Sequence, residues 1–250
     1  MSAVILAGNP NDVPLGDIPA LVLPALGDTL LMVGIVMTIV VALGVPLGAL
    51  VHNLAPGGLV ERPALHQTIS WIVSIGRSLP FLILMASIMP FTRLLTGTNI
   101  GIPAAVVPMA IAGTAFFTRI VENSLRSVPV AYTRVARAAG ASRLQIVRTA
   151  QLAEAVPSIL GGLTINTIAM IEYSAIAGTI GAGGIGYVAV TYGYQRFDTT
   201  VMGVTIVILV VTVASVQLIG DALVRLTTPY QRERRRRAPR PLPADELVNA

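Results

Sequence analysis

The amino-acid sequence predicts an all-α membrane protein with five transmembrane helices. Hydrophobic residues make up 54% of the 250 residues and charged residues only 12%, whereas a soluble domain carries about a quarter charged residues. The mean hydropathy is +0.77. The hydrophobic residues gather in five segments, each close to the ~20 residues that cross a bilayer as a helix. These segments are too long for the strands of a membrane barrel, so we expect a helix in every span.

The five predicted spans cover residues 30–51, 69–89, 100–118, 157–180 and 201–220. The first contains no charged residue, whereas the second contains Arg77 and the fourth contains Glu172. An ionisable side chain inside a span costs about 2.5–3.5 kcal/mol on insertion scales, so each of these two needs a reason. At 1.5 Å per residue, Arg77 would lie roughly 12 Å and Glu172 roughly 23 Å from the inner face. We therefore expect no mutual ion pair.

The distribution of arginine predicts the orientation, since lysine is absent. If the N-terminus is outside, the inside segments are about 52–68, 119–156 and 221–250, and they hold most of the arginines. Only Arg93 and Arg196 fall in outside segments. Inside loops of membrane proteins are enriched in basic residues. We therefore expect a multi-pass inner-membrane protein, with its N-terminus outside and its C-terminus in the cytoplasm.

This orientation divides the chain into three parts. They are an N-terminal external segment at residues 1–25, a transmembrane domain at 26–224 and an Arg/Pro-rich cytoplasmic tail at 225–250. The arginine run at 234–237 can stop translocation or bind anionic lipid headgroups, and we favour the first function.

The long inside loop at residues 122–156 contains local signals for two short helices. Pro129 can open the first helix, and Gly140 can end it. Ser142 and Gln145 have the spacing of a capping box, which would begin the second helix. Such a pair forms either a docking surface for a soluble protein or a helix that lies on lipid headgroups. The residues alone leave both alternatives open.

Several chemical functions are excluded or disfavoured by the residues present. The chain has no lysine, so it cannot carry the lysine of a P-loop, and any ATP hydrolysis must come from another chain. Without cysteine and with only two histidines, we expect no metal site and no catalytic group. Residues 181–186 satisfy G-x-G-x-x-G, but they follow a predicted span rather than a strand. We expect a compact external loop there rather than a flexible linker, and no cofactor.

Residues 134–153 resemble the EAA loop of ABC importer permeases, which has the form E-A-A-x(3)-G-x(9)-I-x-L-P. Ala136, Gly140 and Leu152 match this form. Arg134 replaces the glutamate, and alanines replace the isoleucine and the proline.

The chain as a whole resembles the methionine importer permeases over about residues 25–228. The stretches that carry this resemblance include RSLPF at 77–81, MPFTR at 89–93, GTNIG at 97–101, VEN at 121–123, GAS at 140–142, QIVR at 145–148, YSA at 173–175, GAGGIG at 181–186 and YGY at 192–194.

The resemblance implies a type I ABC permease fold with a cytoplasmic coupling helix. It implies a homodimer, in which a second permease copy completes the translocation pathway. Two cytoplasmic ABC ATPase subunits would dock from inside, and an external methionine-binding (lipo)protein would deliver D- or L-methionine. Membrane lipid surrounds such a protein, and nucleic acid is not a partner. The residues implied in ATPase coupling are Arg134, Val135, Ala136, Gly140, Ala141, Ser142 and Leu152.

The fourth predicted span carries the candidate pathway residues. Asn166, Met170 and Tyr173 share a helix face, as a stripe lining a pathway would, although methionine at such a position is more often packing. Glu172 either meets a substrate ammonium or lies at a subunit interface or outer rim, hydrogen-bonded to the glycine-rich loop.

Two other functions remain alternatives. The nearest is an ABC permease for another small amino acid. A non-transport membrane scaffold or enzyme would need a catalytic constellation that the sequence does not offer, and a secondary transporter would show inverted repeats that we do not find.

Overall fold

The computed structural model of the protein describes residues 12–228, and all regular structure in that range is helical. The arginine run at 234–237 lies outside the described residues, so its function stays a prediction. The helices are α1 Ile18–Leu54, α2 Pro63–Ser78, α3 Phe81–Ser87, α4 Met89–Thr96, α5 Ile102–Arg126, α6 Val130–Ala138, α7 Arg143–Gln145, α8 Ala153–Ala177, α9 Gly184–Val188 and α10 Thr199–Thr227. Three π-helical segments, Ile146–Leu152, Gly178–Ala182 and Ala189–Tyr194, follow α7, α8 and α9.

Four of the predicted spans correspond to long continuous helices. These are α1, α5, α10 and the continuous helix Arg143–Ala182, which contains α8, and all four are long and apolar enough to cross a membrane. The first begins well before its predicted start, since α1 runs from Ile18 through Asp28 to Leu54. A fifth crossing exists if the bent pair α2 and α3 counts as one span.

The second predicted span, residues 69–89, is wrong as a single helix. The helix axes of α2 and α3 differ by 104°, with the break at Leu79 and Pro80. A proline disfavours the helical conformation of the residue before it, and Leu79 is extended with φ −89° and ψ 134°. Arg77 lies in the last turn of α2, beside this break, with its guanidinium 5.5 Å from the ring centre of Phe116.

Helices α1 and α5 run parallel and in close contact because of a Gly-x-x-x-Gly pair on α1. A Cβ added at Gly44 would lie 2.8 Å from Cδ1 of Phe117, and one added at Gly48 would lie 2.6 Å from Cβ of Val121. Apolar side chains gain little from leaving lipid, so helices in membranes associate through close packing of this kind.

Helix α8 packs antiparallel to α5. A Cβ added at Gly113 of α5 would lie 3.0 Å from Sδ of Met170, and one added at Gly162 of α8 would overlap the side chain of Ile120. Glycine also permits close packing between α8 and the antiparallel α10, where Gly220 leaves room for the side chain of Thr164. Thus α1, α5 and α10 run in one direction and α8 in the other.

The glycine-rich residues 178–186, called the glycine segment below, form a compact turn at the end of α8. Gly181 and Gly183 have φ values of 97° and 83°, and residues other than glycine rarely adopt such backbone angles. A Cβ added at Gly178 would lie 2.5 Å from the backbone nitrogen of Tyr187. The predicted close approach of backbones is therefore present, whereas a flexible linker is not.

Two side chains tie this end of the bundle together. The backbone N–H of Ile185 donates to Oγ1 of Thr29 on α1 at 3.0 Å. The buried carboxylate of Asp198 caps α10, accepting from the N–H of Val201 at 2.9 Å, and also accepts from the N–H of Val13 at 2.8 Å. Thr29 thus links the glycine segment to α1, and Asp198 links the start of the described chain to α10.

Candidate coupling surface and translocation pathway

Helix α6 lies on the surface at the opposite end of the bundle from the glycine segment. It begins after Pro129, whose backbone is in the extended region, and none of its residues is buried. Arg134, Val135 and Arg137 are exposed, whereas Ala136 is half-buried. The sequence prediction of a helix opened by Pro129 is confirmed.

The end of α6 forms a Schellman motif around Gly140. The N–H of Ala141 donates to the carbonyl of Ala136 at 3.0 Å, and the N–H of Gly140 donates to the carbonyl of Arg137 at 3.1 Å. Gly140 has a φ of 78° and no atom within 4 Å of an added Cβ. The residue is therefore required by the backbone conformation rather than by space.

The predicted capping box that follows is also confirmed. The N–H of Ser142 donates to Oε1 of Gln145 at 2.8 Å, and the N–H of Gln145 donates to Oγ of Ser142 at 3.4 Å. Helix α7, the π segment Ile146–Leu152 and α8 then form one continuous helix. Leu152, at the end of the π segment, packs against the main hydrophobic core.

We call α6, the Gly140 turn and α7 the coupling surface. Its exposed side chains combine apolar groups with arginines. The exposed apolar residues are Val130, Tyr132, Val135 and Leu144, and the exposed arginines are Arg134, Arg137 and Arg143. Aromatic, aliphatic and arginine side chains together are typical of protein interfaces, since arginine pairs with carboxylates while the apolar groups are desolvated.

A buried carboxylate lies beneath this surface, and the sequence reasoning assigned it no function. Glu122, near the end of α5, is fully buried and pairs with Arg119 at 2.5 Å and Arg126 at 2.6 Å. All three residues belong to the same helix, so the cluster is local in the sequence. The i−3 and i+4 spacing of the two arginines could have identified it from the sequence alone.

Arg119 extends the cluster to α2. Its Nη2 donates to the carbonyl of Ser70 and to Oγ of Ser74, both at 3.2 Å. These groups line an open groove of about 450 Å³ along α2, together with His66, Gln67 and Trp71. The Oγ of Ser70 is buried without a hydrogen-bond partner among the described residues. The groove thus brings several polar groups to a helix that the sequence predicts as part of a span, although most of its lining is apolar.

The candidate pathway residues on α8 are separated by the structure into buried and exposed positions. Asn166 and Met170 are fully buried against α5, and Nδ2 of Asn166 donates to the carbonyl of Gly113 at 3.4 Å. Tyr173 is half-buried and stacks on Phe81 of α3, with ring centres 4.3 Å apart. These three residues share a face as predicted, but it is the face that packs inside the chain.

Glu172 points away from this packing and is exposed. Among residues 12–228, its carboxylate makes no hydrogen bond to the glycine segment and no ion pair with Arg77. The expected absence of a pair with Arg77 agrees with their positions, since Arg77 contacts Phe116 instead. No cluster of metal-ligating side chains occurs in the same residues.

Comparison with known proteins identifies relatives over most of the chain. Residues 44–232 match the family described as binding-protein-dependent transport system inner membrane component. A protein of Vibrio cholerae, named probable D-methionine transport system permease protein MetI, is 46% identical over 205 residues, which cover 82% of this chain and 91% of the relative. A protein of Pasteurella multocida with the same name is 38% identical, over 78% of this chain and 90% of the relative.

Solved structures show the same architecture. A chain of an inward-facing MetNI methionine ABC transporter superposes with a TM-score of 0.82 at 39% identity, covering 83% of this chain and 96% of that chain. A chain of an amino acid ABC transporter, crystallised with histidines, has a TM-score of 0.61 at 20% identity and shares the fold alone.

Proposed function

The chain belongs to the family of binding-protein-dependent transport system inner membrane components, and we propose that it is the permease subunit of an ATP-driven importer of D- and L-methionine. The assignment of methionine as the substrate rests on sequence identity with relatives named for D-methionine transport. This identity extends over most of both chains. The chain is a transport subunit without an ATPase of its own. With no lysine it has no P-loop, so a partner hydrolyses ATP.

The transporter is a complex of several chains. Two copies of this chain enclose the pathway as a homodimer, two ABC ATPase subunits bind from the cytoplasm, and an external methionine-binding (lipo)protein delivers the substrate. Alternating access then means that the permease pair opens to one side of the membrane at a time, as the ATPase subunits bind and hydrolyse ATP.

The ATPase subunits dock on the coupling surface. The shape of this surface supports the assignment. The short exposed helix α6 ends at the Gly140 turn, and a continuous helix long enough to cross the membrane follows directly. The residues assigned to coupling are Arg134, Val135, Ala136, Gly140, Ala141, Ser142 and Leu152. Of these, Leu152 is half-buried and packs against the hydrophobic core, and the others lie at or near the surface.

The pathway follows polar or exposed surfaces rather than the buried face of α8. Asn166 and Met170 can reach it only if α8 moves relative to α5, because both are fully buried in the described conformation. Glu172 is already exposed, and the groove along α2 is open and contains the polar groups of Ser74 and Arg119. We assign the pathway to the groove and to the Glu172 face, with Tyr173 at the edge of the latter.

The chain is a multi-pass inner-membrane protein, and its orientation places the N-terminus outside and the C-terminus in the cytoplasm. The end of the bundle with the coupling surface carries Arg126, Arg134, Arg137, Arg143 and Arg148, as positive-inside loops do. The division into residues 1–25, 26–224 and 225–250 does not coincide with helix ends, because α1 begins at Ile18 and α10 continues to Thr227. We propose it as a division by function.

Cysteine labelling tests the orientation directly, because the chain has no cysteine. Thr179→Cys at the glycine segment should react with an impermeant thiol reagent added to intact spheroplasts. Thr227→Cys at the end of α10 should react only in inverted vesicles. Both residues are exposed in the structure. The reverse labelling pattern would overturn the orientation.

Reconstitution tests the transport function. The chain, its ATPase subunit and its binding protein in proteoliposomes should accumulate radiolabelled methionine when ATP is supplied on the side of the ATPase. Competition with D-methionine should reduce uptake of the L form, whereas histidine, glutamine and other amino acids should compete poorly. Accumulation of a different amino acid in preference to methionine would show that the substrate assignment is wrong, whereas the assignment as an ABC permease would stand. A complex that hydrolyses ATP but accumulates no amino acid would contradict the proposal.

A further inference from the structure

Two buried amides join the ends of elements that are far apart in the sequence. Asn53 lies at the end of α1, and Gln151 lies in the π segment that follows the coupling surface. The two residues are 6% and 5% exposed. Nδ2 of Asn53 donates to Oε1 of Gln151 at 2.9 Å, and Nε2 of Gln151 donates to Oδ1 of Asn53 at 3.1 Å.

The reciprocal geometry fixes the two helices relative to each other. The second hydrogen of the Asn53 amide is donated to the carbonyl of Ala49 at 2.8 Å, so the side chain of Asn53 has both its donors and its acceptor in use. The groove beside the pair is lined largely by apolar side chains, including Val45, Leu59 and Val147. A buried amide separated from its partner there would incur the full desolvation penalty. Sliding of the π segment along α1 is therefore strongly opposed.

The pair stands between the coupling surface and α1. Helix α6 packs against the π segment, and Gln151 is the π-segment residue whose side chain bonds to α1. A π segment has a wider turn than an α-helix and frequently marks a functional site. A displacement of α6 is thus passed first to the π segment and then, through Gln151, to Asn53.

Helix α1 continues from this pair to the opposite end of the bundle. Thr29 on the same helix accepts from Ile185 of the glycine segment at 3.0 Å. Asn53 and Thr29 are separated by roughly 36 Å along the helix, at 1.5 Å per residue. One continuous helix therefore connects the coupling surface on one side of the membrane to the glycine segment on the other.

We propose that the Asn53–Gln151 amide pair is the joint through which movement of the coupling surface is transmitted to α1. The two amides are positioning residues, since they act through α1 and do not contact substrate or nucleotide. The proposal rests on the proposed function, because it requires an ATPase that moves α6.

The test is the number of ATP molecules hydrolysed per methionine transported. It is measured in proteoliposomes that contain the complete complex. Gln151→Leu keeps the approximate size of the side chain but leaves the amide of Asn53 without its partner. We expect the ratio to rise about fivefold or more, because the α6 movement driven by ATP no longer reaches α1. The ratio is independent of the amount of assembled complex, so a loss of folded protein alone would leave it unchanged.

Two further variants separate the joint from general effects. Gln217→Leu makes the same substitution at an exposed amide on α10 and should keep the wild-type ratio. The exchanged pair Asn53→Gln with Gln151→Asn retains both amides and their combined length, and it should restore the ratio to within about twofold of the wild type.

Three outcomes would overturn the proposal. They are an unchanged ratio in Gln151→Leu, an equal rise in Gln217→Leu, and a failure of the exchanged pair to restore coupling when its complex assembles normally. Failure of the proposed function is distinguishable from these, because the wild-type complex itself would then transport no methionine.

Discussion

Glu122 offers the sharpest test of what stabilises the end of the bundle that carries the coupling surface. Its carboxylate is fully buried and accepts from Arg119 at 2.5 Å and from Arg126 at 2.6 Å. Glu122→Gln keeps the shape of the side chain but removes the negative charge. Two arginines then face each other across a neutral group, and the side chain of one of them is mostly buried.

The magnitude follows from the exposure of the two arginines. Breaking a buried ion pair costs about 3–5 kcal/mol when the remaining charge stays buried. The side chain of Arg126 is 55% exposed, so water can solvate it after the substitution, whereas the side chain of Arg119 is only 22% exposed. The substitution leaves one mostly buried positive charge without a counter-charge rather than two. We therefore expect the free energy of unfolding to fall by about 3 kcal/mol, at the lower end of the range.

Thermal unfolding of the purified chain in detergent measures this loss. For a chain of this size about 3 kcal/mol corresponds to a fall in Tm of about 6–12 °C. Glu154→Gln is the matched control, since Glu154 is exposed and has no ion pair among the described residues. Arg119→Met should also destabilise more than Arg126→Met. A Tm for Glu122→Gln within about 2 °C of that of the control, or the opposite order of the arginine variants, would refute the reasoning.

Three further predictions concern glycines and a helix cap. Gly48→Ala should lower the unfolding free energy by about 1–3 kcal/mol by separating α1 from α5, while Gly34→Ala, with no atom within 4 Å, should not; equal melting curves would contradict this. Gly140→Leu should leave membrane insertion intact but uncouple ATP hydrolysis from methionine uptake. Gly97→Leu meets similar backbone strain at the end of α4 and should stay coupled, so unchanged uptake by the Gly140 variant would refute the role. Asp198→Ala should cost about 1–2 kcal/mol in thermal unfolding through the lost cap of α10, and no change in Tm would exclude the cap as a stabilising contact.

The sequence predicted the number and approximate place of the spans because apolar content is a property of each segment alone. Their boundaries were less accurate. Helix α1 includes Pro24 and Asp28, which a search for uninterrupted apolar residues excludes, yet both are accommodated in its N-terminal part. The break at Pro80 was missed because the residues on both sides are apolar, and hydropathy does not register the direction of the chain.

The coupling surface was predictable almost residue by residue, because its determinants are local. Pro129 before a helix, Gly140 at a left-handed position and the pairing of Ser142 with Gln145 involve neighbours a few residues apart. The Asn53–Gln151 pair joins residues that are 98 positions apart, and neither residue type signals a partner. Such contacts depend on how α1 and the π segment pack, which no local pattern specifies.

Helix α8 shows why a shared face does not by itself identify a pathway. Asn166, Met170 and Tyr173 were grouped correctly by helical spacing, but the spacing carries no information on what the face contacts. In the structure that face meets α5 and α3, because Gly113 leaves space for Met170 and Phe81 stacks on Tyr173. The sequence therefore located the face and not its environment.

The side chain of Glu172 is exposed in the single chain, so its surroundings in the assembled transporter must come from elsewhere. It is exposed on a helix long and apolar enough to cross the membrane, and a charged group facing lipid is expensive. Its face should therefore meet either the water-filled pathway or the second copy. Glu172→Cys in the cysteine-free chain tests this with a membrane-impermeant thiol reagent and an oxidant. Labelling of the assembled complex supports the proposed assignment of this face to the pathway, whereas disulfide formation between copies would place Glu172 at the subunit interface and contradict that assignment. If neither occurs and only a lipid-soluble reagent reacts, the face is turned to lipid, and the assignment of Glu172 to the transport machinery is wrong.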